Sequence, residues 1–309
     1  MNGLGPRAKI GVSGLIVSLC LASACGGTQP NAGSVGPTQA PSTAAPAKGD
    51  ASNSLSALRS KLASDEKLTE LKLPAKAFGP ELGSLLAESS SLVSLTVLDV
   101  SDNDLGIEGA RALARSPHLK ALRELDLGGN DIGDEGAEAI AHASALSGIE
   151  TLNVSGNSIT SAGASALTRG ALAHLTSLDL SMNAIGDAGT AAFEGGEPPL
   201  KSLYLLGCEI GPAGAKRLAQ AKRLKNLDVL ALSGNNLGDE GAQILAKSSA
   251  LQNLQTLDLC ANGIGDAGAL ALAQSSHFKK LKVIELFGNE IGSRGSAALR
   301  KRFGAGLHL

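Results

Sequence analysis

A carboxylate returns to one place in this chain. Asp99, Asp126, Asp179, Asp258 and Glu285 each stand between two apolar residues, as in L-D-L, at separations close to multiples of 27 residues. Carboxylates held side by side can take a divalent cation between them or face a partner of basic character. Other chemistry is poorly provided for. His118, His142, His174, His277 and His308 are scattered with no i, i+4 pair among them, which reads as solvated helix and loop residues. Phosphate-binding G-x-x-x-x-G-K-[ST], the H-E-x-x-H zinc pair, the G-x-S-x-G elbow and paired C-x-x-C do not occur. The expectation is a protein that is not an enzyme and needs no cofactor or metal.

The carboxylates belong to a longer phrase. LDLGGNDIGDEGAEAIA at residues 125–141 recurs from Leu98, Leu152, Leu178, Leu203, Leu230, Leu257 and Ile284. Counted on Asn103, Asn130, Asn157, Asn183, Cys208, Asn235, Asn262 and Asn289, the spacings are 27, 27, 26, 25, 27, 27 and 27 residues. A fixed period of this size marks a solenoid. Within one unit, Leu125 and Leu127 alternate with polar neighbours, the period of a strand with one buried face. Asn130 ends that strand, where a buried amide can bond the backbone of adjacent turns, and the eight equivalent positions should stack as a ladder. Gly133 and Gly136 suit a tight turn into a helix. Ala137, Ile140 and Ala141 form that helix's apolar stripe, with Glu138 and His142 toward water. Small side chains between helix and strand explain how the chain is 43% hydrophobic with only 2% aromatics.

With L-R-E-L-D-L-G-G-N and the I-G-x-x-G-A-x-x-L-A tail in view, the units resemble leucine-rich repeats of the ribonuclease-inhibitor type. The resemblance implies an α/β horseshoe solenoid, parallel strands on its concave face and helices on its convex face, holding a protein partner. It covers residues 95–309 as about eight repeats. Residues 54–94 are expected to cap the array, with a helix carrying Leu55, Leu58 and Leu62 and a worn repeat in which Lys76 replaces the Asn. Arg294, Arg300, Lys301 and Arg302 give the last helix a polar end. Stability in such an array comes from stacking neighbours.

The front of the chain is different. Arg7 and Lys9 precede IGVSGLIVSLCLASA, an apolar run of about 15 residues, shorter than the ~20 that span a bilayer. Residues 1–24 therefore read as an export signal. Ala22-Ser23-Ala24 fits ordinary cleavage, and the stretch ending at Cys25 also resembles the lipobox of bacterial lipoproteins, whose cysteine is acylated. Residues 25–53, rich in Gly, Pro, Ala, Ser and Thr, read as a disordered tether with a reach of ~30 Å. The expected location is the cell envelope, as a lipoprotein of the outer membrane since Gly26 is not Asp; plain secretion is the alternative.

Of the remaining cysteines, Cys208 stands in for a ladder Asn and Cys260 lies two strands away, too far for a disulfide, which needs about 4.4–6.8 Å between Cα atoms. Loss of the leader removes two positive charges from a chain of net charge −2, leaving −4. With no basic tract, one Tyr and no Trp, nucleic acid is not an expected partner. A monomer is expected.

Counting the unit as L1-x-x-L4-x-L6-x-x-N9, positions 3, 5 and 7 should line the concave face. Position 5 supplies the acidic row; Tyr204, Leu206 and Phe287 are expected there as exposed apolar anchors, with Val229, Ala231 and Val283 nearby. The partner-binding set is thus Asp99, Asp126, Asp179, Tyr204, Leu206, Asp258, Glu285 and Phe287. A protein held on this face, regulation of an enzyme and a passive envelope role remain open as functions.

Overall fold

Each L-x-L triplet becomes a strand three residues long. The computed structural model describes residues 48–64, 67–195 and 199–309; the leader, Cys25 and most of the tether lie outside the described residues. The strands are β1 Glu70–Lys72, β2 Val97–Asp99, β3 Glu124–Asp126, β4 Thr151–Asn153, β5 Ser177–Asp179, β6 Ser202–Tyr204, β7 Val229–Ala231, β8 Thr256–Asp258, β9 Val283–Glu285 and β10 Leu307–His308. They pair in sequence order as one open parallel sheet. In β2 to β9 the middle residue is completely or almost completely buried, Leu98, Leu125, Leu152, Leu178, Leu203, Leu230, Leu257 and Ile284 forming one apolar line through the array. Helix α1 Lys48–Leu62 precedes β1. Parallel neighbours need a crossover, and each unit makes it with a helix: α2 Glu81–Glu88, α3 Gly106–Ala114, α4 Gly133–His142, α5 Ser161–Arg169, α6 Gly186–Gly189, α7 Pro212–Leu218, α8 Gly238–Ala246, α9 Asp266–Gln274 and α10 Ser293–Phe303. From α2 on, the helices stack on one another in the same order. This is an α/β solenoid.

Two glycines of one unit have separate duties. Gly133 has φ +59° at the entry to α4, a left-handed conformation that L side chains avoid. Gly136 is inside that helix, where a Cβ would come within 2.7 Å of Ile132 Cβ and 3.1 Å of Ala110 Cβ. It serves close packing rather than the turn. Ala137, Ile140 and Ala141 are fully buried beneath it.

Two hydrogen-bond ladders tie each unit to the next. In the first, Asn130 Oδ1 accepts from Asn103 N at 3.0 Å and Leu105 N at 3.3 Å, while its Nδ2 donates to the carbonyls of Val100, Leu127 and Gly128. Asn157, Asn183, Asn235, Asn262 and Asn289 make equivalent bonds. Cys208 keeps the donor half, its Sγ donating to Leu180 O at 3.3 Å, and its backbone N–H donates to Asn235 Oδ1. Burial pushes its thiol up to about 12. The second ladder runs at the helix starts. Asp239 Oδ1 accepts from Gly265 N and Gly268 N at 2.8 and 2.7 Å, and Asp187 and Asp134 cap the following helices in the same way. A helix's first N–H groups have no partner within it, and the units that carry Asp134, Asp187, Asp239 or Asp266 supply the acceptor for their successors.

The ends are closed from the chain's own flanks. Helix α1 starts at Lys48, ahead of residue 54, and buries Leu58 and Leu62 with Leu55 partly covered. In the worn unit Lys76 N and Phe78 N donate to Asn103 Oδ1. At the far end β10 adds a strand that the repeat count does not foresee: Leu286 N donates to His308 O at 2.8 Å, and His308 Nδ1 lies 2.7 Å from Glu285 Oε1. The least regular unit has the shortest spacing. Helix α6 is a single turn continued by a 3-10 turn at Thr190–Phe193, with Phe193 completely buried. Arg223, 2% exposed, reaches Thr168 O with Nη1 at 2.8 Å. None of the helices among the described residues is long and apolar enough to cross a membrane.

Candidate interaction face

Position 5 of successive units forms one row across the sheet, because the register pairs Asp99 with Asp126, Asp126 with Asn153, Asn153 with Asp179, Asp179 with Tyr204, Tyr204 with Ala231, Ala231 with Asp258 and Asp258 with Glu285. The aspartates have a local task. Asp99 Oδ1 accepts from Ser101 N and Oγ at 3.0 and 2.7 Å, Asp126 Oδ1 from Gly128 N at 2.9 Å, Asp179 Oδ1 from Ser181 N at 2.9 Å and Asp258 Oδ1 from Cys260 N at 3.0 Å. Each carboxylate thus caps the end of its own strand, which accounts for L-D-L without any ligand. Asp99, Asp126, Asp179 and Glu285 are partly exposed, the Glu285 side chain at only 13% and paired with His308. Burial pushes Asp126 and Asp179 above the usual carboxylate range against the hydrogen bonds that pull them down, and Asp99 and Asp179 add repulsion at Asp126.

Three expectations for this face are corrected. Tyr204 is not an exposed anchor: only 4% of it meets solvent. Its partner in the next strand, Ala231, is small and fully buried. Asp258 is also closed off at 1% exposure between its neighbours, with Oδ2 lacking a hydrogen-bond partner, and cannot present charge to a partner. Leu206 is half-buried, its backbone N–H held by Ser181 Oγ at 3.2 Å. Cys260 is buried likewise, and both Cys208 and Cys260 are unbridged thiols.

Phe287 is exposed, at 47%, on the same side as Glu285, since the intervening Leu286 points into the core. The larger surprise is Met182, exposed at 67%. It occupies position 8 with φ +57°, where other units have Gly129, Gly156, Gly207, Gly234 and Gly288, and also Asp102 and Ala261, in the same conformation. A methionine there bears a strain that glycine does not. Met182 borders a depression of about 330 Å³ lined also by Ser101, Asp102, Asp126, Gly128, Gly129, Asn153, Ser155 and Gly156. Gly128 makes the hollow. Position 7 is serine in Ser101, Ser155, Ser181 and Ser233, and glycine here removes the side chain. The signals were in the sequence: a glycine at position 7 and a methionine at position 8. Among the described residues, no group of three or more His, Cys, Asp or Glu is placed to hold a metal.

A family model described as Leucine Rich repeat matches residues 91–114, 118–141, 149–167, 171–193, 198–219, 223–246 and 250–273, together more than half of the chain. No curated protein matches the chain significantly. The seven matches fall on the strand, ladder residue and helix of successive units. On the strength of those matches and of the stacked parallel sheet, the chain belongs to the leucine-rich repeat family.

Proposed function

We infer that this protein is an exported interaction module which holds a protein partner on the open face of its sheet. Leucine-rich repeats suggest protein binding in general; the face is the finer part of the reading. One observation carries it: two of the largest exposed apolar side chains, Met182 and Phe287, stand on the strand side among half-exposed carboxylates. Binding hot spots are built from such anchors, with polar surroundings that exclude water once the partner is seated. The acidic row adds a preference for a partner of basic character. Residues 1–24 and Cys25 supply the address, a leader and a lipid-bearing cysteine that would tether the module to the envelope.

The test is affinity capture from an envelope fraction with residues 26–309 as bait, beside a Met182→Glu/Phe287→Glu chain whose melting temperature matches the unaltered one. A protein recovered by the first bait and lost from the second supports the reading. Equal recovery by both places the partner elsewhere, and no recovery by either returns the module to a passive envelope role. Tyr204→Glu is unsuitable for this purpose, because it would force a charge into a buried site.

A further inference from the structure

We propose that the end of the array at α10 docks onto a bilayer surface of anionic phospholipid headgroups. Residues 275–309 hold seven Lys and Arg against two Asp and Glu, in a chain of net charge −2. No single run shows the cluster, because it comes from two short stretches, Lys279-Lys280-Leu281-Lys282 ahead of β9 and Arg300-Lys301-Arg302 in the last turn of α10. The fold brings them together. Arg302 Nη2 donates to Phe278 O at 3.3 Å, next to Lys279. The turn after α10 runs so close to Lys282 that a Cβ on Gly306 would sit 1.8 Å from Lys282 O. All six cations are exposed.

The repeat itself does not call for these charges. A helix dipole favours basic residues at the C-terminal end, yet α8 and α9 carry none in their last turn. The unit before has Asn253 and Gln255 where this one has Lys280 and Lys282, and those amides accept from the two ammoniums at 2.8 and 3.0 Å without neutralising them. Arg111, Arg123, Lys201 and Arg217 all have carboxylate partners; among the described residues none of the six does. Of the two nearby carboxylates, Glu285 is taken by His308 at 2.7 Å, and Glu290 precedes α10 and stands a helix length of about 16 Å away.

The chemistry selects the occupant. Four of the six are lysines, point charges on flexible stems rather than forks for one particular carboxylate. Such a cluster is held by the summed field of an anionic bilayer, which needs no directional match. Nucleic acid would call for exposed aromatic faces on which bases stack. The chain has no Trp, Tyr204 is buried, and the exposed Phe287 lies past the opposite end of β9 from Lys282. The inference stands apart from the partner on the sheet face and from a lipid at Cys25.

The experiment is co-sedimentation of the full chain with vesicles of phosphatidylcholine alone and of phosphatidylcholine mixed with phosphatidylglycerol, beside Lys279→Glu/Arg300→Glu/Lys301→Glu. These three side chains make no hydrogen bond or ion pair among the described residues, so the variant should fold, which its melting temperature checks. The parent is expected to bind the anionic vesicles at least about tenfold more tightly than the neutral ones, and the variant to lose that difference. Attachment through the leader is common to both vesicles and both chains and cannot mimic this result. If the triple variant melts early, Lys279→Gln/Lys301→Gln takes its place with the same reading. A parent indifferent to the anionic lipid, or a folded variant that keeps the difference, overturns the proposal. So does tighter binding, per negative charge, of polyglutamate or of an oligonucleotide, which would make this end a protein or nucleic-acid site.

Discussion

At the scale of single residues, Asp126 closes the end of its own strand by accepting from Gly128 N–H. Its carboxyl is raised above the ordinary range chiefly by burial. For a carboxyl so shifted, the protonated form is favoured by folding: that stabilisation is complete below the unfolded value near 3.9, and is lost as pH rises through the higher folded value. At neutral pH the ionised group is a small burden. Asp126→Asn, whose amide oxygen can still accept from Gly128 N–H, should be at least as stable as the parent at neutral pH, and the two should converge as pH falls into the carboxylate range. Melting curves across that range check this; a variant less stable at neutral pH would mean that the charge itself holds the strand end.

At the scale of elements, the two ladders carry the load between units, and they should respond differently. Asn157 is fully buried and its side chain bonds Asn130 N and Leu127 O of the preceding unit; Asn157→Ala leaves those backbone groups unpaired and should cost about 1–3 kcal/mol in chemical denaturation. Asp239 caps the next helix from a half-buried position, so Asp239→Ala should cost less, about 0.5–2 kcal/mol. A larger loss at Asp239 than at Asn157 would reverse the order of the ladders. Much of this level is legible from sequence, because strand triplet, turn glycine and helix stripe are all set by residues within one period. The asparagine ladder is visible for the same reason, as its geometry follows once units stack in register. The aspartate caps are harder to see. Their signal, I-G-D, sits in one unit and their effect in the next. Tyr204 and Asp258 were misplaced by the same kind of gap: exposure on the sheet depends on side-chain size one strand over, and Ala231 lies 27 residues from Tyr204. Met182 shows the converse, an exposed side chain at a position that a repeat reading assigns to the turn.

At the scale of the whole molecule, helix α1 precedes the first units and packs Leu58 and Leu62 into their core, while the proposed reading of residues 1–25 as a lipoprotein leader predicts where the chain resides. Cys25→Ser should move the protein from the membrane to the soluble fraction on fractionation of expressing cells. Membrane retention by the variant would discard acylation at Cys25, and release of both forms would favour plain secretion.

The hydrogen-bond pattern between units has one more consequence. Asn103 N reaches Asn130, and Asn130 N reaches Asn157, across steps of 27 residues. Each unit therefore meets its neighbours through nearly interchangeable faces. Excision of residues 131–157 would join Asn130 to Ser158 at equivalent points of the period, and the severed asparagine-ladder bonds would find like partners, Asn183 accepting from Asn130 N as it does from Asn157 N; the Asp134 cap on Thr160 and Gly163 would be lost. The gene for such a chain can gain or lose whole periods by recombination without leaving a scar in the protein, and the 26- and 25-residue steps on either side of Asn183 are the seams where that freedom is least.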